Sequence, residues 1–113
     1  FRTPMMMLQD AAVTKVILVT LPEQTPVLEA SILQADLERA GIHPWAWVVN
    51  SSVAAARPTS AFLQMRAASE AGPIADVQRI AERLALVPIQ VLEPVGAARL
   101  SALAQGSSAP VPV

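Results

Sequence analysis

At 113 residues the chain has room for one domain, near the lower end for an α/β unit. Hydrophobic residues make up 53% and charged residues only 15%, so a few strands and helices should leave apolar surface for another segment or chain to cover. A net charge of -1 excludes the basic face that phosphate contacts require, so no nucleic-acid partner is expected.

Residues 1–14 lead into the domain as the end of a helix or as a linker, with the apolar run Met5-Met6-Met7-Leu8 closed by Gln9-Asp10. Three adjacent methionines suit either a soft, adaptable contact surface or packing under a loop, and packing is the favoured reading. Residues 15–20 (KVILVT) form the first strand, with so little polar alternation that burial on both faces is expected. Leu21-Pro22-Glu23-Gln24 follows, and a helix then begins with Thr25 as N-cap and Pro26 in its first position. Leu28, Ile32, Leu33, Leu37 and Ala40 recur at helical spacing, Glu29, Asp36, Glu38 and Arg39 mark the wet face, and Gly41 stops the helix.

The second strand is 45–49 (WAWVV), after His43-Pro44 and before Asn50-Ser51-Ser52. A loop over 53–59 precedes a helix over about 60–71 anchored by Phe62, Leu63 and Met65, which Gly72-Pro73 breaks. Ile74, Val77, Ile80 and Ala81 give another short helix. The third strand is 84–89 (LALVPI), the loop 90–96 follows, and a last helix spans about 97–105 with Leu100 and Leu103 inward. Residues 106–113 (GSSAPVPV) are aperiodic and rich in Ser and Pro, so a domain over 1–105 with a disordered tail is expected.

This alternation predicts a three-layer α/β unit, a parallel sheet with flanking helices and right-handed crossovers. In such sheets ligands bind beyond the carboxyl ends of the strands. Thr20, Glu23, Asn50, Pro88 and the 90–96 loop all fall there. The phosphate-binding patterns GxxxxGK(S/T) and GxGxxG are both absent, and the four glycines have no suitable spacing. His43 falls at the opposite end of the sheet and reads as a turn residue. With no cysteine, these residues hold no thiolate metal site. No nucleophile–base pair stands out, so the segment alone should catalyse nothing.

Asn50 offers a donor and an acceptor together, which suits the edge of a purine, although Asn also favours turns that end strands. Pro88-Ile89-Gln90-Val91-Leu92-Glu93-Pro94-Val95-Gly96 reads either as one wall of a base-binding pocket or as an ordinary connection. Glu23 either orients a metal-bound water or favours the start of the next helix, and the second is preferred.

Three stretches carry a family resemblance: the Leu-Pro-Glu segment at 21–30, LQADLERAGIHPW at 33–45, and the strand ending in Asn50-Ser51. Together with Thr3-Pro4-Met5-Met6 and the run from Leu86-Val87-Pro88 to Glu93-Pro94 and Gly96, they closely resemble the arsenical pump-driving ATPases over roughly residues 3–105. The ATPase that targets tail-anchored proteins is a more distant relative. The resemblance implies the carboxy-terminal portion of such an enzyme, a partial P-loop NTPase-like fold without its P-loop half. It implies Mg-ATP as cofactor in the parent protein, at sites between homologous halves or subunits. It also implies an arsenite/antimonite efflux permease as membrane partner, and a cytoplasmic location peripheral to the inner membrane. By the resemblance, Asn50 contacts adenine and Pro88, Gln90, Val91, Leu92, Glu93, Pro94 and Gly96 belong to the element that wraps the base. The family's phosphate-loop lysines, Mg ligands and DTAPTGH-type signature lie upstream, so this segment should be inactive alone and should pair with the missing amino-terminal part. The rival reading is a non-catalytic interaction or dimerisation module that self-associates through its apolar faces.

Overall fold

The three strands β1 (Ile17–Thr20), β2 (Ala46–Ser52) and β3 (Leu84–Pro88) form one parallel sheet in the order β1-β2-β3. A computed structural model describes residues 2–90 and 94–105. Around the sheet run α1 (Pro4–Gln9), α2 (Gln24–Arg39), α3 (Ala61–Ser69), α4 (Ala71–Ile80) and α5 (Ala97–Ala104). The parallel α/β unit with flanking helices is therefore as the alternation predicts, and the strand order, which the sequence left open, is sequential. Val91, Leu92, Glu93 and the tail over 106–113 lie outside the described residues.

Register decides which side chains share a face. Leu18 pairs with Trp47 and Trp47 with Leu84, while Thr20 pairs with Val49 and Val49 with Leu86. Leu18, Trp47 and Val49 meet Val27 of α2 and Val77 of α4 in the buried core, with Ala30, Leu37, Ile74, Ala81 and Leu84 around them. Both crossover helices thus lie on one face, as two right-handed connections running in the same direction across a sheet require. The other face carries Ile17, Val19, Ala46, Val48 and Ala85, with Ala46 buried and Val48 half-buried. Among them Val19 is 62% exposed, and Ile17 and Ala85 are exposed too. Burial of the first strand on both faces is not what the structure shows: only Leu18 and Thr20 of β1 are buried.

The helix ends follow local chemistry. Thr3 caps α1 by accepting from the Met6 N–H at 3.2 Å, and its own N–H reaches the Met6 sulfur at 3.5 Å. The Met5–Met7 run nonetheless stands exposed, so packing under a loop does not describe it. Helix α2 starts earlier than the Thr25-Pro26 signal suggests, with Glu23 as N-cap. Pro26 then occupies the third position, where the missing N–H still costs nothing because no helical carbonyl precedes it. At the other end Gly41 adopts φ +79, donating to the Glu38 carbonyl while Ile42 donates to that of Leu37. That pair of bonds is the Schellman stop, which requires the left-handed conformation glycine adopts freely.

The buried stripe of α2 is rotated from the one its apolar residues suggest. Val27, Ala30, Gln34 and Leu37 face the sheet, while Leu28, Ile32 and Leu33 are exposed. Gln34 belongs on the inner side because its Oε1 accepts from the Trp47 indole N–H at 2.6 Å, which satisfies the one polar group that tryptophan brings into the core. Gly72-Pro73 starts α4 rather than breaking the preceding helix; the break falls at Glu70, which ends α3 and caps α4. Phe62 is 78% exposed and Met65 is exposed as well, so neither anchors α3, and Leu100 of α5 likewise points to solvent.

Candidate functional site

A cavity of about 930 Å³ opens at the carboxyl edge of the sheet. Leu21, Pro22, Glu23 and Gln24 enter it from the end of β1, Ser51 and Val53 from the end of β2, and Ile89 from the end of β3. Phe62, Leu63, Arg66 and Glu70 close it from the α3 side, and Pro73 and Asp76 from α4. Across it the Arg66 guanidinium lies 3.4 Å from the Glu23 carboxylate, an ion pair with both partners open to solvent. Such a pair contributes little stability but ties the start of α2 to α3.

A buried polar cluster lies on its wall. Glu70 is 3% exposed, and its carboxylate grips the turn after β2. Oε1 accepts from the Ser52 hydroxyl at 2.8 Å and from the Ala54 N–H at 3.1 Å, and Oε2 accepts from the Val53 N–H at 3.0 Å. The Ser52 hydroxyl oxygen in turn accepts from the Ala55 N–H at 3.1 Å. The turn lies between two left-handed residues, Ser51 at φ +57 and Arg57 at φ +53. A non-glycine residue in that region carries a steric cost, so the conformation depends on what surrounds it. Sequence reasoning passed over Glu70 because nothing near it marks a partner; the only signal is an acidic residue at the junction of two short helices.

The sequence-derived candidates fall out unequally. Asn50 is exposed near the end of the central strand, and strand alternation sets it on the same face as Val48, the uncovered one. It does not line the cavity, although Ser51 beside it does. Pro88 ends β3 opposite Ser52, and the Ile89 N–H donates to the Ser52 carbonyl at 3.0 Å, so Asn50 and Pro88 stand at adjoining strand ends. Gln90 is half-buried, with its side-chain amide donating to the Pro88 carbonyl. Pro94 is half-buried, and Gly96 takes φ +89 immediately before α5. Glu23 lines the cavity and caps α2 without a side-chain hydrogen bond to it. His43 is exposed at the amino end of β2, away from this edge.

The exposed Asn50 carboxamide presents a hydrogen-bond donor and an acceptor side by side. No group of three or more His, Cys, Asp or Glu side chains is arranged to hold a metal ion among the described residues. No helix among the described residues is long and apolar enough to cross a membrane.

No protein-family model matches the chain. Curated relatives do. An arsenical pump-driving ATPase of Escherichia coli is 58% identical over 105 residues, which covers 92% of this chain and 18% of that protein. One from Acidiphilium multivorum is 56% identical over 104 residues, covering 91% of the chain and again 18% of the relative. A second E. coli protein of the same name is 55% identical over 104 residues. The chain therefore spans about a fifth of the length of the curated relatives it matches.

Proposed function

We propose that this chain, similar over nine-tenths of its length to one part of the arsenical pump-driving ATPases, supplies the adenine-binding side of a nucleotide site. The observation that carries the reading is Asn50: a carboxamide left exposed near the end of a strand whose Trp47, Val49 and Ser52 are fully buried. Its oxygen would accept from the adenine amino group while its NH2 donates to a ring nitrogen. Guanine offers acceptors at both corresponding positions and fits less well. Pro88, Gln90, Pro94 and Gly96 would form the neighbouring wall. Phosphate and Mg binding, and with them ATP hydrolysis, fall to parts of a longer ATPase that these residues do not include. In that whole protein, ATP would drive arsenite or antimonite efflux through a membrane permease from the cytoplasmic side of the inner membrane.

The uncovered sheet face supports the same reading. Ile17, Val19, Val48 and Ala85 form an apolar surface that an isolated small domain would be expected to bury. In a longer ATPase that surface would be covered by the rest of the polypeptide. Self-association through the same face is the competing use of it.

Titration with a fluorescent adenine nucleotide tests the reading. Saturable binding by the chain that Asn50→Ala abolishes is the expected result. An Asn50→Ala variant that binds as well as the unmodified chain would sink it.

A further inference from the structure

We propose that Glu70 is a positioning residue for the base site, acting through the turn that follows Asn50; this rests on the reading of Asn50 given above. A carboxylate removed from water is costly unless its oxygens are fully engaged. Here both oxygens are engaged, and all three donors come from the three consecutive residues Ser52, Val53 and Ala54. Through the Ser52 hydroxyl the grip extends to the Ala55 N–H. A turn that needs only closure can be held by its own backbone or by a neutral side chain. A buried charge gathering a row of N–H and O–H donors fixes geometry more tightly, because charge-assisted bonds are shorter and stronger than neutral ones.

What that grip borders is the segment where the sheet pairing is irregular. The β2–β3 ladder is regular up to Val49 and Leu86, then shifts register before Ser52 meets Pro88. Asn50 and Ser51 fall inside the shift, and Ser51 adopts φ +57. The ladder therefore holds the chain at Val49 on the near side of Asn50, and on the far side the Ser52–Pro88 pairing and the Glu70 carboxylate hold it together. The Asn50 carboxamide hangs from a span of backbone clamped at both ends. Because Glu70 is also the junction of α3 and α4, any movement of that helix pair would be felt at the clamp.

The test is an NMR titration of the full chain, ¹⁵N-labelled, with ATP and separately with GTP. It follows the Asn50 side-chain amide and the backbone amides of Val53, Ala54 and Ala55. Glu70→Gln replaces one acceptor oxygen with an NH2 group and opposes one of the turn's donors. We expect its ATP dissociation constant to rise about tenfold, the size of one misplaced hydrogen bond, and its preference for ATP over GTP to fall by about the same factor. A residue that merely stabilises the fold would lower the folded fraction, visible as a second set of peaks, and leave the base preference of the folded molecules untouched. Ser52→Ala removes one donor and the Ala55 acceptor but keeps the carboxylate. It should give a smaller rise, about threefold, and it decides the matter if Glu70→Gln does not fold. If either folded variant keeps the ATP affinity and base preference of the unmodified chain while Asn50→Ala loses them, Glu70 has no positioning role and the base site stands. If Asn50→Ala changes nothing, the base site falls and the role of Glu70 with it.

Discussion

The two faces of the sheet are built from similar residues and live in different surroundings. Leu18, Trp47 and Val49 are buried beneath α2 and α4, while Ile17, Val19 and Ala85 on the reverse are exposed. Helix α2 repeats the pattern: Val27 and Leu37 turn inward, and Leu28, Ile32 and Leu33 turn out. Both outer layers thus carry apolar side chains where a free-standing domain would carry polar ones. The difference teaches that hydrophobic patterning does not by itself say which surfaces are buried within these residues. The share that these relatives leave unmatched, more than four-fifths of each, is ample to provide the cover.

If that contrast is right, equivalent truncations on the two faces must have very different effects. Trp47→Ala removes the largest fully buried side chain and frees Gln34 from the indole N–H. Equilibrium urea unfolding should show a loss of about 3–5 kcal/mol, enough to abolish folding in a domain of this size. Val77→Ala, on the helix that closes the core from above, should cost roughly 1–3 kcal/mol. Gln34→Leu keeps the volume but leaves the indole N–H without its acceptor, and about 1–2 kcal/mol should be lost. Val19→Lys on the open face should change stability by less than about 0.5 kcal/mol. A loss there comparable with that at Val77 would mean the face is covered within the chain or between copies of it. Sedimentation of the unmodified chain beside Val19→Lys separates those two cases.

How much of this was legible follows from which interactions are local. The strands, the Gly41 stop and the start of α3 at Ser60 could be read because each depends on residues within a few positions of one another. The face of α2 could not be read from its apolar residues because Leu28, Ile32 and Leu33 are exposed, whereas Gln34 is inside for a reason thirteen positions away at Trp47. Phe62 and Met65 misled in the same way: their apolar character suggests a buried face, and both are exposed. Asn50 could be picked out as an amide after an apolar run, although β2 continues past it to Ser52. Its support at Glu70 could not, because that carboxylate reaches a turn sixteen to eighteen positions earlier and nothing in the local pattern pairs the two.

The smallest effect is expected at Asp10, where α1 ends. The Arg2 guanidinium hydrogen-bonds to its carboxylate, and the Ala12 N–H donates to it at 2.9 Å. Those two contacts, in that order of size, hold its carboxyl below the ordinary aspartate value. A carboxyl with a depressed folded-state pKa adds stability above the unfolded pKa and loses it as pH falls through the lower, folded value. Here the group is solvent-exposed, so screening leaves almost nothing to lose. Arg2→Gln should therefore raise the Asp10 pKa towards its ordinary value, without reaching it because the Ala12 N–H remains. Carboxyl NMR across the acid range would follow that rise while the thermal midpoint near neutral pH stays where it was. A midpoint that dropped with the substitution, and dropped equally in the unmodified chain at about 1 M salt, would show that this ion pair secures α1 to the domain.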